Sequence, residues 1–102
     1  MWKEFDGGLS INQIGSENGK IIKDEECSFG ARITIEKEGI TAPYSITCGI
    51  YGLFCHTAFC EKEQEAYKKY EDMKKDIEVF ICNSNNEDDY ISGWCNRFVN
   101  KY

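Results

Sequence analysis

Residues 27–50, CSFGARITIEKEGITAPYSITCGI, carry the clearest structural pattern in the chain. In the first ten of these residues, apolar and polar side chains alternate, which places one face of a β-strand in a core and the other in water. After a mostly polar loop, the same alternation resumes at Tyr44. The stretch predicts a long antiparallel hairpin, in which pairing Ile35 with Ile46 sets Ile33 opposite Cys48.

The same register, extended to the ends of the hairpin, brings Glu25 opposite His56, whereas a two-residue slip brings Glu25 opposite Phe54 instead. Beyond Tyr51 the alternation stops, because consecutive apolar residues follow, as in a strand that is covered on both faces. Residues 46–60, ITCGIYGLFCHTAFC, are therefore predicted to form a buried strand that runs into a helix, with His56 near its wetter end.

The residues on either side of the hairpin predict further elements. An Asn18-Gly19 turn signal between the apolar runs 9–14 and 21–22 predicts two short N-terminal strands. After Glu61, apolar residues recur at helical spacing and acids precede lysines, which predicts a long amphipathic helix capped near Thr57. The last six residues of this segment, IEVFIC, fit a helix or a strand. An apolar stripe from Ile91 to Tyr102 predicts a second helix.

Strands followed by helices indicate the α+β class. We expect an antiparallel sheet, built from the N-terminal strands and the long hairpin, with two C-terminal helices packed on one face. The length of 102 residues predicts one domain over 1–102, which is large enough to bury a modest core.

The charge and the cysteine content restrict the classes of partner. The chain has 18 acidic and 12 basic residues and a net charge of -6, with no basic run that could follow a phosphate backbone. Nucleic acid is therefore not expected as a ligand, and a basic protein is favoured. Because the sequence shows neither an export signal nor a membrane span, we expect a cytoplasmic protein with six free thiols.

Cys55, His56 and Cys60 are the weak candidates for a metal site, because three soft ligand types lie close together. A structural zinc site needs a fourth ligand, and the chain has neither a C-x2-C motif nor a second histidine. Burial of the cysteines as small apolar side chains is favoured instead. We expect no cofactor.

His56 is the one histidine of the chain, and so the natural centre of any catalytic site. Glu25 would orient this histidine in the register given above, and Cys48 would offer a thiol on the same face of the hairpin. Neighbours in a strand point to opposite faces, so Cys55 and His56 cannot act as a pair. These three residues are weak catalytic candidates, and a solvated strand end remains the favoured interpretation of the acidic segment around Glu25.

A different group of residues is the best candidate for a binding surface. Arg32, Thr34, Thr47 and Tyr51 fall on the polar faces of the two hairpin strands. Arg and Tyr are the residues that most often anchor protein interfaces. If the second face of the sheet is open, these four side chains form a patch there.

Residues 24–60, and in particular the segments GARITIE and ITCGIYG, resemble a family of small uncharacterised bacterial cytosolic proteins. The resemblance covers a little over a third of the chain and implies a bacterial α+β domain. It implies no activity and no functional residues. Small size and acidity also resemble those of immunity proteins that neutralise toxins, without a shared motif.

The sequence therefore leaves three functions open. The favoured one is a non-catalytic domain that binds another protein, with an immunity-type inhibitor of a basic partner as one form of it. The second is a small enzyme or ligand-binding domain centred on His56, with Glu25 and a nearby cysteine. The third is a structural homo-oligomer that associates through its sheet edge or its helices.

Overall fold

The computed structural model describes residues 2–83 and 87–102. Five strands form one antiparallel sheet in sequence order, and two helices follow. The elements are β1 (Trp2–Glu4), β2 (Lys20–Cys27), β3 (Ala31–Lys37), β4 (Tyr44–Ile50), β5 (Phe54–Cys60), α1 (Glu63–Cys82) and α2 (Asp88–Lys101). The predicted α+β fold with two C-terminal helices is confirmed.

The core lies between one face of the sheet and α1, which packs over β3, β4 and β5. Alternate residues of the central strands point into it, as the period of two requires. From the helix, residues at spacings of three and four enter the same core. The fully buried core side chains include Ile33, Ile35 and Ile46 from the sheet and Ala66, Tyr70, Met73 and Ile77 from α1.

Helix α2 packs mainly through aromatic rings. Trp94 and Phe98 contact the ring of Phe54 at centroid distances of 5.5 and 5.4 Å, in edge-to-face geometry. Trp94 also stacks on Phe80 of α1 at 4.1 Å. These contacts place α2 beside the C-terminal half of α1 on the helical side of the sheet. Within the part of the chain that the structure describes, neither helix is both long and apolar enough to span a membrane.

The predicted register of the central hairpin is confirmed, since Ile35 pairs with Ile46 and Ile33 pairs with Cys48. The predicted length of the first strand is wrong. The alternating run over residues 27–36 is interrupted by a turn at residues 28–30, so that β2 ends and β3 begins within it. Gly30 has a φ of 103°, a left-handed conformation that glycine adopts without steric cost.

The predicted pairing of Glu25 with His56 is also wrong. Because the chain turns at residues 28–30 and again at residues 51–53, Glu25 pairs with Ile33 and His56 pairs with Cys48. The four residues form one row across the sheet, with β3 and β4 between its ends. Glu25 and His56 are thus three strand spacings apart, or roughly 14 Å.

Residues 46–60 form two strands, not the predicted single strand that runs into a helix. A turn over residues 51–53, with Gly52 at a φ of 76°, separates β4 from β5. Helix α1 begins at Glu63 after Lys62, so the predicted cap near Thr57 is wrong, and residues 77–82 belong to the helix. The acidic residues Glu63 and Glu65 occupy the first turn, where the helix dipole favours them.

The N-terminal segment differs in part from its prediction. The turn signal at Asn18-Gly19 does close a turn, with an isolated bridge between Ile14 and Lys20, and β2 starts there. No strand covers residues 9–14; instead, the first strand is β1, which pairs Trp2 with Cys27. Residues 5–19 form a short 3-10 turn at Phe5–Gly8 and further turns, and they contact Arg32 and Glu36 on the face of the sheet opposite the helices.

Candidate functional site

A groove of about 730 Å³ lies on the face of the sheet opposite the helices. The loop at residues 14–16 forms one wall, and the turn at residues 51–53 forms part of the other. Alternate residues of β3 and β4 form the floor, because their side chains point away from the core. The four residues predicted as a surface patch, Arg32, Thr34, Thr47 and Tyr51, all line this one groove.

The floor contains a fixed ion pair between neighbouring strands. Arg32 Nε and Nη2 donate hydrogen bonds to the two carboxylate oxygens of Asp24 at 3.0 and 2.7 Å, and Thr34 Oγ1 donates to Oδ1 at 2.9 Å. The side chain of Asp24 is 0% exposed and that of Arg32 is 36% exposed. The hydrogen bonds to Asp24 raise the pKa of Arg32 above its usual value. Two parallel hydrogen bonds fix the guanidinium plane.

Phe5 completes the arrangement around Arg32. The guanidinium carbon lies 3.5 Å from the centroid of the Phe5 ring, within the range of a cation–π contact. The ring comes from the short turn that follows β1, so the N-terminal segment is attached to the sheet at this point. With its edge held by Asp24 and its plane contacted by Phe5, the guanidinium is oriented before any ligand arrives.

Glu36 holds the loop that forms one wall of the groove. Its side chain is buried, and its Oε1 accepts hydrogen bonds from the backbone N–H groups of Glu17 and Gly19 at 3.2 and 3.0 Å. Gly15 lies so close to this carboxylate that a Cβ there would collide with it. A larger residue at position 15 would therefore displace the Glu36 carboxylate from its hydrogen bonds to the loop. This role of Glu36 was not predicted from the sequence, although an acidic residue in a buried strand is a signal for such a partner.

The rim of the groove is apolar and exposed. The exposed fractions of Ile14, Tyr51 and Leu53 are 68%, 59% and 39%. The Tyr51 hydroxyl donates a long hydrogen bond of 3.4 Å to Glu26, and burial together with the charge of Glu26 raises the pKa of Tyr51. Large apolar side chains around a polar floor are a common composition of ligand-binding clefts and interface pockets.

The groove and its border have an acidic balance. Asp24, Glu26 and Glu36 supply three carboxylates there, whereas Arg32 supplies a guanidinium and Lys3, the cross-strand neighbour of Glu26, supplies an ammonium group. Since Asp24 neutralises Arg32 and Lys3 lies beside Glu26, the negative charge of Glu36 in the floor is left over. A cationic group is therefore the better electrostatic match for the open end of the groove.

The three weak catalytic candidates do not form a unit. His56 lies on the helical face, where its ring meets Phe98 at a centroid distance of 6.1 Å. Its Nε2 is buried, with no hydrogen-bond partner within the described ranges 2–83 and 87–102. Cys48 is its cross-strand neighbour, but burial raises the pKa of the Cys48 thiol to about 12. The thiol is thus protonated at neutral pH and is a poor nucleophile.

Glu25, the third candidate, lies on the same face as His56 but in β2, with two strands between them, where it belongs to an ionic cluster with α1. It accepts a hydrogen bond of 2.6 Å from the Tyr70 hydroxyl and bonds of 3.0 and 3.1 Å from Lys74 Nζ. Burial raises the pKa of Glu25, but these hydrogen bonds and the charges of Lys74 and Lys23 outweigh it, so the pKa lies below its usual value. Glu25 therefore attaches α1 to β2 and does not orient His56.

The three weak candidates for metal binding are divided between the two faces of the sheet. Cys55 is exposed and lines the groove, whereas His56 and Cys60 have the opposite parity in β5 and lie on the helical face. Among the residues that the structure describes, no group of three or more His, Cys, Asp or Glu side chains is placed to hold a metal ion.

Comparison of the chain with protein-family models, curated protein sequences and solved structures found no match in any of the three. The groove geometry therefore carries the functional argument alone.

Proposed function

We propose that the protein is a non-catalytic binding domain that holds a basic, partly apolar segment of another protein in the groove. The observation that carries the proposal is the combination of an oriented polar floor, an exposed apolar rim and an acidic balance in one cleft. An immunity-type inhibitor of a basic partner is one form of this function that the net charge of -6 favours.

The dimensions of the groove suit one or two side chains of a partner. A volume of about 730 Å³ lies within the range of ordinary ligand sites, roughly 300–1,000 Å³. The aliphatic stem of a lysine or arginine would pack against Ile14 and Leu53, while its cation would reach Glu26 beside Tyr51. This arrangement removes the exposed apolar rim from water and pairs the acidic border with a cation.

The chemistry of the floor supports binding over proton transfer. Asp24 and Arg32 are paired with each other, and Glu36 is engaged by two backbone N–H groups, so each charged group already has partners. Catalytic acids and bases need a proton position that the substrate can reach. Paired and oriented charges instead provide a rigid surface with low reorganisation on binding.

Selection of peptides from a random displayed library, with the protein as bait, tests the proposal. We expect the enriched peptides to combine lysine or arginine with a large apolar residue. In ¹H–¹⁵N spectra, such a peptide should shift the amides of residues 47–53 and 14–16. Enrichment of acidic peptides, or shifts that centre on His56, would contradict the proposal.

The same charge substitution inside and outside the groove tests whether binding is specific to it. Leu53→Lys places a positive charge where the basic segment should bind, and we expect the peptide Kd to rise at least tenfold. Val79→Lys introduces the same charge on α1, at a residue that is 64% exposed and outside the groove lining, and the Kd should stay within about twofold. Equal losses of affinity in the two variants would refute a groove-specific interaction.

A further inference from the structure

The two edges of the sheet differ in length and in charge. One edge, β1, has only three residues and carries the exposed Lys3 and Glu4, features that discourage strand pairing. The other edge, β5, has seven residues, Phe54–Cys60, and none of them is charged. Long, uncharged edge strands are the ones that other strands pair with.

Within the described ranges 2–83 and 87–102, β5 is an edge strand that pairs with β4 and with no other strand. Its ladder runs to β4 alone, and no backbone hydrogen bond outside the ladder involves residues 54–60. Helix α2 reaches the strand through ring contacts with Phe54 and His56, which engage side chains on the helical face and not the backbone edge. Phe59, on the groove face, is 42% exposed.

When β5 pairs with a second copy of itself running in the opposite direction, large side chains can face small ones along the whole strand. An antiparallel copy of the strand, related by a two-fold axis at Thr57, would place Phe54 opposite Cys60 of the copy and Cys55 opposite Phe59. His56 would lie opposite Ala58. Every large side chain then faces a small one, and all seven residues pair. Such matched cross-strand pairs are what stabilises one register over its neighbours.

Other symmetric registers fit less well. An axis at His56 would place this ring opposite itself and Leu53 opposite Phe59, so that large side chains meet. An axis at Ala58 would bring the charged Glu61 opposite Cys55 and leave fewer uncharged residues to pair. The size pattern therefore favours the axis at Thr57.

We infer that two copies of the chain pair through β5, antiparallel and centred on Thr57, to form one continuous ten-stranded sheet. The absence of charge in β5 lets two copies of an acidic protein meet there without like charges facing each other. The grooves of both copies then open on the same face, since the axis is perpendicular to the sheet. Phe59 of the second copy would pack on Cys55, which borders the groove, and sulfur–aromatic contacts of this kind are favourable.

Thiol cross-linking tests this register directly. In a background that carries Cys55→Ser, Cys82→Ser and Cys95→Ser, the Thr57→Cys substitution places two thiols on the axis. The Cα atoms of a symmetric antiparallel pair are about 4.5–5.5 Å apart, a distance that a disulfide spans. We expect mild oxidation to give a covalent dimer, whereas Val79→Cys, in the same background and on the exposed side of α1, should remain monomeric.

Charge substitutions provide an independent test by sedimentation equilibrium. Cys55→Glu and Phe59→Lys should each weaken dimerisation roughly tenfold, because each buries a charge opposite an uncharged side chain. The double variant pairs the two opposite charges across the axis at Thr57, so its dimerisation constant should return to within about threefold of the wild-type value.

Several results would overturn the inference. A wild-type protein that is monomeric at the highest attainable concentration excludes the dimer. Equal cross-linking by Thr57→Cys and Val79→Cys indicates random collision. A dimer that the charge variants do not weaken uses another surface, and a dimer that the double variant does not restore uses another register. Pairing of β5 with a strand of a different protein, while the chain alone is monomeric, would also exclude the second copy as the occupant.

Discussion

Replacing Glu25 by glutamine measures how much the ionic cluster between β2 and α1 contributes to folding. Glutamine has nearly the same shape, and its remaining carbonyl oxygen can still accept the hydrogen bond from Tyr70. The substitution removes the negative charge and replaces Oε2 by an amide nitrogen, so that two donors face each other there, while Oε1 can still accept a hydrogen bond from Lys74. The side chains of Glu25 and Lys74 are only 14% and 17% exposed, so water replaces little of what is lost.

The size of the effect follows from these contacts. Hydrogen bonds to charged groups contribute about 1.5–3 kcal/mol, and partial solvation of Lys74 lowers the loss. We therefore expect Glu25→Gln to reduce the free energy of unfolding by about 2 kcal/mol at pH 7. With a urea dependence of about 1–3 kcal/mol per molar, the unfolding midpoint should fall by roughly 1 M, as followed by fluorescence of Trp2 and Trp94.

The effect should also depend on pH. In the folded protein the pKa of Glu25 lies below its usual value, so ionisation of Glu25 stabilises the folded state at any pH above the unfolded pKa. As the pH falls through the folded pKa, the carboxylate becomes protonated in both states and this stabilisation is lost. The difference between the wild type and Glu25→Gln should therefore be constant near neutrality and shrink below about pH 4.5.

Glu71 provides the control for this prediction. It lies within 3.3 Å of Lys23 and 3.8 Å of Lys74, but its side chain is 56% exposed. Exposed ion pairs contribute little, so Glu71→Gln should cost less than about 0.5 kcal/mol. If Glu71→Gln destabilised the protein as much as Glu25→Gln, or if the Glu25→Gln effect persisted unchanged in acid, the structural role assigned to Glu25 would be refuted.

Two further predictions concern the groove and the thiols. Arg32→Met leaves the buried Asp24 carboxylate with the hydrogen bond from Thr34. Because Arg32 is partly exposed, we expect the free energy of unfolding in urea to fall by about 2 kcal/mol, less than for a fully buried ion pair. Adding Asp24→Asn to this variant should recover part of the loss, and a further loss would argue against the pair. Among the thiols, Cys82, which is exposed on α1, should react with Ellman's reagent in the native protein, whereas Cys48, buried and with a pKa of about 12, should react only after denaturation.

The period-two pattern was sufficient to predict the central register, because it depends on matching two isoleucine-rich faces. It was not sufficient to find the turn at residues 28–30, since Ser28, Phe29 and Gly30 continue the alternation of apolar and polar residues. The turn after β2 depends on the positive φ of Gly30, a backbone conformation that the sequence pattern does not show. Glycine by itself is not a turn signal here, because Gly49 lies inside strand β4. Pattern alone cannot distinguish these two uses of glycine.

The missed turn explains why the candidate site was only partly predicted. Arg32, Thr34, Thr47 and Tyr51 were grouped by their parity in the hairpin, and parity is unaffected by where β2 ends. The partner of Arg32 was not found, because the pairing of Asp24 with Thr34 exists only after the chain turns back at residues 28–30. Because this turn was not predicted, Glu25 was placed directly opposite His56, whereas in the structure β3 and β4 lie between the two residues.

The buried charges of the groove floor need an explanation beyond folding. Taking a carboxylate out of water costs several kcal/mol, and an ion pair with its hydrogen bonds roughly offsets that cost without a large surplus. A sheet face needed only for solubility would carry solvated side chains, as surface strands usually do. Here Asp24 and Glu36 are 1% exposed, yet they lie beneath an open cleft and orient Arg32 and a loop at its walls. Rigid polar groups at the base of an open cleft lower the entropic cost of binding, which is the advantage that a recognition surface gains from them.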